Sequence, residues 1–150
     1  MNRLEMEVQQ TKREHEIKKA WAKYHTGWLM MPVQLVLLRA FLYWWINFEN
    51  NNHCCRVMKM YVGERAGHTT LWKVIQATFP EQFVLVGSTL GLGREVLKDS
   101  FAGVSILSRP HTLREVVKGK ICILDLGGIE LSERHRRKFL NNNAEALISS

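Results

Sequence analysis

Cysteine is scarce and poorly placed for either a disulfide framework or a metal centre. The three cysteines, Cys54, Cys55 and Cys122, form no C-x-x-C spacing. Neighbours such as Cys54 and Cys55 rarely bond each other, and an odd count without a secretory signal points to reduced thiols. His53 precedes the pair, but a second half-site is missing, so no zinc is expected. Internal repeats and low-complexity tracts are absent, which sets aside solenoid and linker-like architectures.

Acidic residues are also in the minority. Fourteen Asp and Glu face twenty-one Lys and Arg, for a net charge of +7. That balance favours anionic partners (nucleic acid, acidic lipid or a phosphorylated cofactor) or simply a solvated basic surface. Where cations are densest, at Arg134, Arg136, Arg137 and Lys138, only Phe139 supplies an aromatic ring. A base-stacking platform is therefore missing, and a solvated helix face is the plainer reading than nucleic-acid binding. The remaining composition, 46% apolar and 23% charged, is that of a folded protein. A chain of 150 residues holds one ordinary domain, or a small domain with an appendage.

Three segments follow one another: 1–52, 53–82 and 83–150. Residues 2–26 are highly charged with a broken apolar stripe of Leu4, Val8, Ile17 and Trp21, which predicts a solvent-exposed helix. Trp28 to Phe48 is apolar and about as long as a membrane span. Trp28 lies at one edge and Tyr43, Trp44 and Trp45 near the other, like an interfacial aromatic belt. Pro32, Gln34 and central Arg39 oppose a simple span, Arg alone costing about 2.5–3.5 kcal/mol on insertion scales. Two readings stay open: a membrane-anchored or interfacial helix, and a buried core helix with Arg39 paired. Accordingly, both a membrane-associated location, of the endoplasmic-reticulum kind, and a cytoplasmic one are open. In the connector, Arg56 to Val62 reads as a strand, and Thr69 or Thr70 caps a helix carrying Leu71, Val74, Ile75 and Phe79, stopped by Pro80.

From Phe83 onward strands and helices alternate. Strands at 83–86, 103–107 and 121–124 are joined by short helices at 94–101 and 112–117, and a basic helix spans 130–140. This pattern predicts an α/β fold, a partial Rossmann-type parallel sheet with right-handed crossovers, behind a helical N-terminal region.

Two glycine-rich loops invite a phosphate. Gly63-Glu-Arg-Ala-Gly67-His68 imitates a P-loop, but only three residues separate the glycines and His68 stands where Lys is required. A surface loop ending in a helix cap is the better reading there. The second loop, Gly87-Ser-Thr-Leu-Gly91-Leu-Gly93, follows a buried strand and opens a helix, as a dinucleotide fingerprint must. Gly87 permits the tight turn, Gly91 lets backbone approach pyrophosphate, and Gly93 allows close helix–strand packing, with Ser88 and Leu92 between them. The next strand ends at Ser108-Arg109, the position that reads the adenosine ribose; Arg there accommodates the 2′-phosphate of NADP. Arg94 adds a second charge.

The run FVLVGSTLGLGREV, with GVSILSR and ICILDL after it, resembles the first three strands of the short-chain dehydrogenase/reductase family. Gly87, Gly91 and Gly93 match that family's Thr-Gly-x-x-x-Gly-x-Gly turn, with Val86 in place of Thr. The resemblance implies a Rossmann fold, an NADP cofactor, and Asp125 lying against the adenine. The stretch from Ile129 is similar to membrane-linked members such as the retinol dehydrogenases, some of which carry an N-terminal hydrophobic anchor. It covers roughly residues 83–148. The family's catalytic Tyr-x-x-x-Lys is absent: Tyr24, Tyr43 and Tyr61 all precede the glycine turn, and none has Lys four residues later. Asn142-Asn143-Ala144 has letters of a further family motif but arrives early and runs into Glu145. No catalytic residue is therefore assigned. The sequence reads as an NADP-binding, oxidoreductase-like protein lacking its catalytic half, whether fragment, isoform or degenerate relative. The alternative is a non-catalytic, membrane-associated interaction protein on a Rossmann-like scaffold.

Overall fold

Two helices of opposite character meet first in the chain. The computed structural model describes residues 2–25, 29–50, 56–60, 67–87, 103–105, 114–115, 117–125, 137 and 146–149. Helix α1 (Arg3–Tyr24) is mostly solvated, and Asn2 caps it by accepting from the Glu5 amide at 2.8 Å. Its two buried side chains, Ile17 and Trp21, lie four apart on one face. Helix α2 (Pro32–Glu49) begins at a proline, whose missing N–H costs nothing in a first turn.

From Pro32 on, the apolar run is thus a helix that packs into the core, the second of the two settings left open by the sequence. Phe41 and Trp45 of α2 pack on each other and on Phe83 of strand β2 (Phe83–Gly87), with ring centroids 4.8–5.7 Å apart. Trp72 of helix α3 (His68–Thr78) closes edge-on against Phe41. Arg39, the charge that opposed a membrane span, is half-exposed and donates to Glu14 of α1 at 2.9 Å. Arg13 lies 4.0 Å over the Trp45 ring and pairs with Glu49 at 2.6 Å, closing the two helices together. Trp44 and Trp45, the expected interfacial belt, are buried, whereas Tyr43 faces out. Among the described residues no helix is long and apolar enough to cross a membrane.

Five parallel strands form one sheet in the order β1-β5-β4-β2-β3. They are β1 (Val57–Lys59), β2, β3 (Gly103–Ser105), β4 (Ile121–Asp125) and β5 (Ala146–Ser149). Alternation along β2 and β4 sends Phe83, Leu85, Ile121 and Ile123 into the cluster shared with Ile17, Trp21, Phe41, Trp45 and Trp72. The opposite row, Val84, Val86, Cys122 and Leu124, is buried too, as expected for central parallel strands. Burial pushes the Cys122 thiol well above its ordinary range, so it stays protonated and inert.

The parallel sheet agrees with the strand–helix alternation in the sequence; its order does not agree with a Rossmann unit. In that unit the third strand lies outside the second. Here β4 pairs with β2 on the side away from β3, so the strand that opens the unit is flanked by the next two. Counted from β2, the strands β3-β2-β4-β5 follow the other common order of doubly wound sheets, and β1 adds at the β5 edge. The cap of α3 also differs from expectation. It falls on Gly67, in left-handed backbone at φ 73°, and Thr69 lies within the first turn, its hydroxyl donating to Asp125. The helices expected at 94–101 and 130–140, apart from helical Arg137, lie outside the described residues, as do Cys54 and Cys55; of 112–117, residues 114, 115 and 117 are helical.

Replacing Phe41 with Ala is expected to lower the unfolding free energy by about 3–5 kcal/mol, the range for deleting a buried aromatic. Tyr43→Ala, two residues on but exposed, should stay within about 0.5 kcal/mol; urea titration separates the two. A second expectation concerns acid. The hydrogen bond from Arg39, aided by Lys18, outweighs burial and holds the Glu14 carboxyl below its ordinary range. A carboxyl lowered on folding stabilises the fold above its unfolded value and loses that contribution as pH falls through the folded value. Glu14→Gln should therefore be less stable than the parent at neutral pH, and the two should converge in acid; equal stability at every pH contradicts the link.

Candidate functional site

Parallel pairing of β2 with β4 places Gly87 beside Asp125, each the last residue of its strand. By alternation both positions fall on the helix-bearing face of the sheet, following Leu85 and Ile123. From this point the connections leave in opposite directions. The chain after β2 crosses to β3 on one side, and the chain after β4 crosses to β5 on the other. In open α/β sheets such a reversal is the place where ligands bind, outside the carboxyl ends of the strands.

The first turn of α3 comes down on Asp125. The Thr69 hydroxyl donates to Asp125 Oδ2 at 2.5 Å, and His68 Nε2 stands 3.6 Å from Oδ1. Asp125 is 1% exposed. A buried carboxylate is costly unless donors or positive potential compensate it. Here the hydroxyl, the imidazole and the partial positive charge of a helix N-terminus all lie on the same side. His68 Nδ1 is buried and has no hydrogen-bond partner among the described residues.

The height of that turn is set from α2. Gln34 is buried and uses both ends of its amide. Its oxygen accepts from the Met31 amide at 2.8 Å, and its Nε2 donates to the Gly67 carbonyl at 3.0 Å. A Cβ on Gly67 would lie 2.2 Å from that nitrogen, and φ at 67 is positive, so only glycine fits. The chain Met31–Gln34–Gly67 therefore anchors the start of α3 one residue before His68.

Of the residues assigned from sequence, the structure brings Gly87 and Asp125 together. Ser88, Gly91, Leu92, Gly93 and Arg109 lie outside the described residues. Asp125 is engaged by α3 through Thr69 and His68 rather than standing free toward an adenine. His68 and Thr69 were not among the assigned residues. In the sequence they figured only as the failed end of a P-loop imitation and as a helix cap. Their partner lies 56 residues beyond Thr69, a pairing that no local spacing encodes. Among the described residues no group of three His, Cys, Asp or Glu converges as a metal requires.

No protein-family model, no curated protein and no solved structure matches this chain.

Thr69→Val keeps the shape of the side chain and removes the donor to a buried carboxylate. It should cost about 1.5–3 kcal/mol, the range for hydrogen bonds to charged groups. Thr78→Val, which loses only a bond to the Val74 carbonyl, should cost about 1 kcal/mol or less. Equal effects of the two in urea unfolding would mean that Asp125 does not depend on Thr69.

Proposed function

We propose that the chain binds NADP(H) at the crevice between the ends of β2 and β4, as an oxidoreductase-like protein related in its glycine turn to short-chain dehydrogenases/reductases. The observation that carries this reading is the coincidence of two independent features. The sequence places its Gly87–Gly93 turn directly after β2, and the sheet reverses its strand order at that same strand end. Gly87 itself brings no side chain into the crevice beside Asp125.

Support for the 2′-phosphate comes from the part of the topology that both strand orders share. β3 lies next to β2, with Ser105 beside Gly87. In this proposal a residue following β3 would flank the Gly87–Gly93 segment, and Arg109 is the cation in that stretch of the sequence. The pyrophosphate would lie on the backbone at Gly91 and Gly93, flanked by Ser88 and Leu92. Asp125 takes a different role from the adenine contact implied by the family. Bound through Thr69, it holds α3 against the crevice. The competing reading, a membrane-associated interaction protein, drew on the apolar run at 28–48, whose Phe41 and Trp45 are buried against β2.

Titrating the full chain with NADPH should quench tryptophan fluorescence saturably. Arg109→Ala should weaken binding by about 10- to 100-fold, the equivalent of one charge-assisted contact, whereas Arg136→Ala should change it little. NADH should respond less to Arg109→Ala than NADPH does. Absence of a saturable NADPH response would reject the proposal.

A further inference from the structure

The side of the α1–α2 pair that faces away from the core is apolar where a solvated helix face is ordinarily polar. On α2, Val33, Val36, Ala40 and Tyr43 follow one another at spacings of three and four, the seam by which one helix meets another. Val36 is 67% exposed and Tyr43 65%. On α1, Leu4 and Val8 stand 70% and 59% exposed, and the same spacing continues through Thr11, His15, Lys18 and Ala22. We infer that this face binds a second copy of the chain, antiparallel about a two-fold axis that crosses α2 near Ala40.

Three observations name that occupant. First, charge is unevenly divided along α1. Residues 3–11 hold Arg3, Glu5 and Glu7, whereas residues 17–24 hold Lys18, Lys19 and Lys23 and no acid. An antiparallel copy lays Glu5 and Glu7 of one α1 over Lys18 and Lys19 of the other, and two-fold symmetry repeats the match. Second, a cavity of about 420 Å³ opens where α1 begins and α2 ends, lined by Arg3, Met6, Tyr43 and Ile46 among others. In the antiparallel register the exposed Met31 and Val33 of the second copy arrive over that cavity, knobs for a hole. Third, Ala40 is small where the two α2 helices cross, and Val36 is set against Tyr43 on either side of it.

The charge beside the crossing is already met. Arg39 pairs with Glu14 at 2.9 Å, so the axis brings no bare cation onto its symmetry mate. An anionic bilayer would match only the lysine-bearing end of this face and would meet Glu5 and Glu7 at the other. A second copy satisfies both ends at once.

The test is sedimentation equilibrium of the full chain from about 1 to 200 μM, the range of an exchanging dimer. The parent should pass from a species of 17.5 kDa to one of twice that mass. Val36→Glu puts a charge into the seam and should raise the dissociation constant by about 10-fold or more. Its urea midpoint, taken at the dilute end where the parent is monomeric, should match the parent's, because Val36 is exposed in the single chain. Charge exchange reads the orientation. Glu5→Lys and Lys19→Glu should each weaken the dimer by about 5-fold, and the double variant should return to within about twofold of the parent. This exchange decides the matter if Val36→Glu does not fold. A parent that stays monomeric at every concentration overturns the inference, and one that floats with phosphatidylserine vesicles instead assigns the face to lipid. A dimer indifferent to Val36→Glu, or a double variant no tighter than the single ones, overturns it as well.

Discussion

Everything in this fold hangs from the contact of Phe41 and Trp45 with Phe83. Those rings join a helix made of long apolar side chains to the first residue of the strand that carries the glycine turn. Because Trp72 closes on Phe41 as well, the same cluster fixes α3, the helix that enters at His68. Strand β2 is therefore held at its start by aromatic packing, while its far end, Gly87, lies beside Asp125. The division is economical in physical terms: apolar burial, which is non-directional, fixes the bulk of the unit. A few directional bonds, from Gln34 to Gly67 and from Thr69 to Asp125, then set the site.

The site itself balances opposing electrostatic demands. A buried carboxylate is costly unless donors or positive potential compensate it. The Thr69 hydroxyl meets that demand from the first turn of α3, and the helix terminus adds its own positive potential. Asp125 thus turns inward to α3 rather than outward to ligand. Net basic character across the chain works in the same direction at longer range.

Much of the fold was legible because its signals are local. The apolar run of Phe83 to Val86, the breaker at Pro80 and the spacing of Leu71, Val74 and Ile75 each announce an element within a few residues. The run at 28–48 was legible as a helix, with a membrane setting and a core setting left as alternatives. Hydropathy does not distinguish a bilayer from a sheet, and the deciding partners, Glu14 for Arg39 and Phe83 for Phe41, lie tens of residues away. Strand order was equally hidden, since βαβ alternation dictates parallel pairing and handedness but not the side of β2 on which the third strand lands. The same ambiguity obscured half of the site. Gly87 carries a motif, whereas nothing near Thr69 announces the Asp125 carboxylate that β4 delivers to it.

The place of β1 has a consequence for how the chain comes to be folded. Val57–Lys59 sits at the sheet edge and its neighbour is β5, the strand made last among those described. On a ribosome, α1, α2 and α3 can collapse early around their aromatic residues, but β1 has no strand to pair with until Ala146–Ser149 emerges. During that interval its backbone donors and acceptors stay open to water or to a stray strand. Completing the sheet is consequently a late, long-range event, of the kind that slows folding.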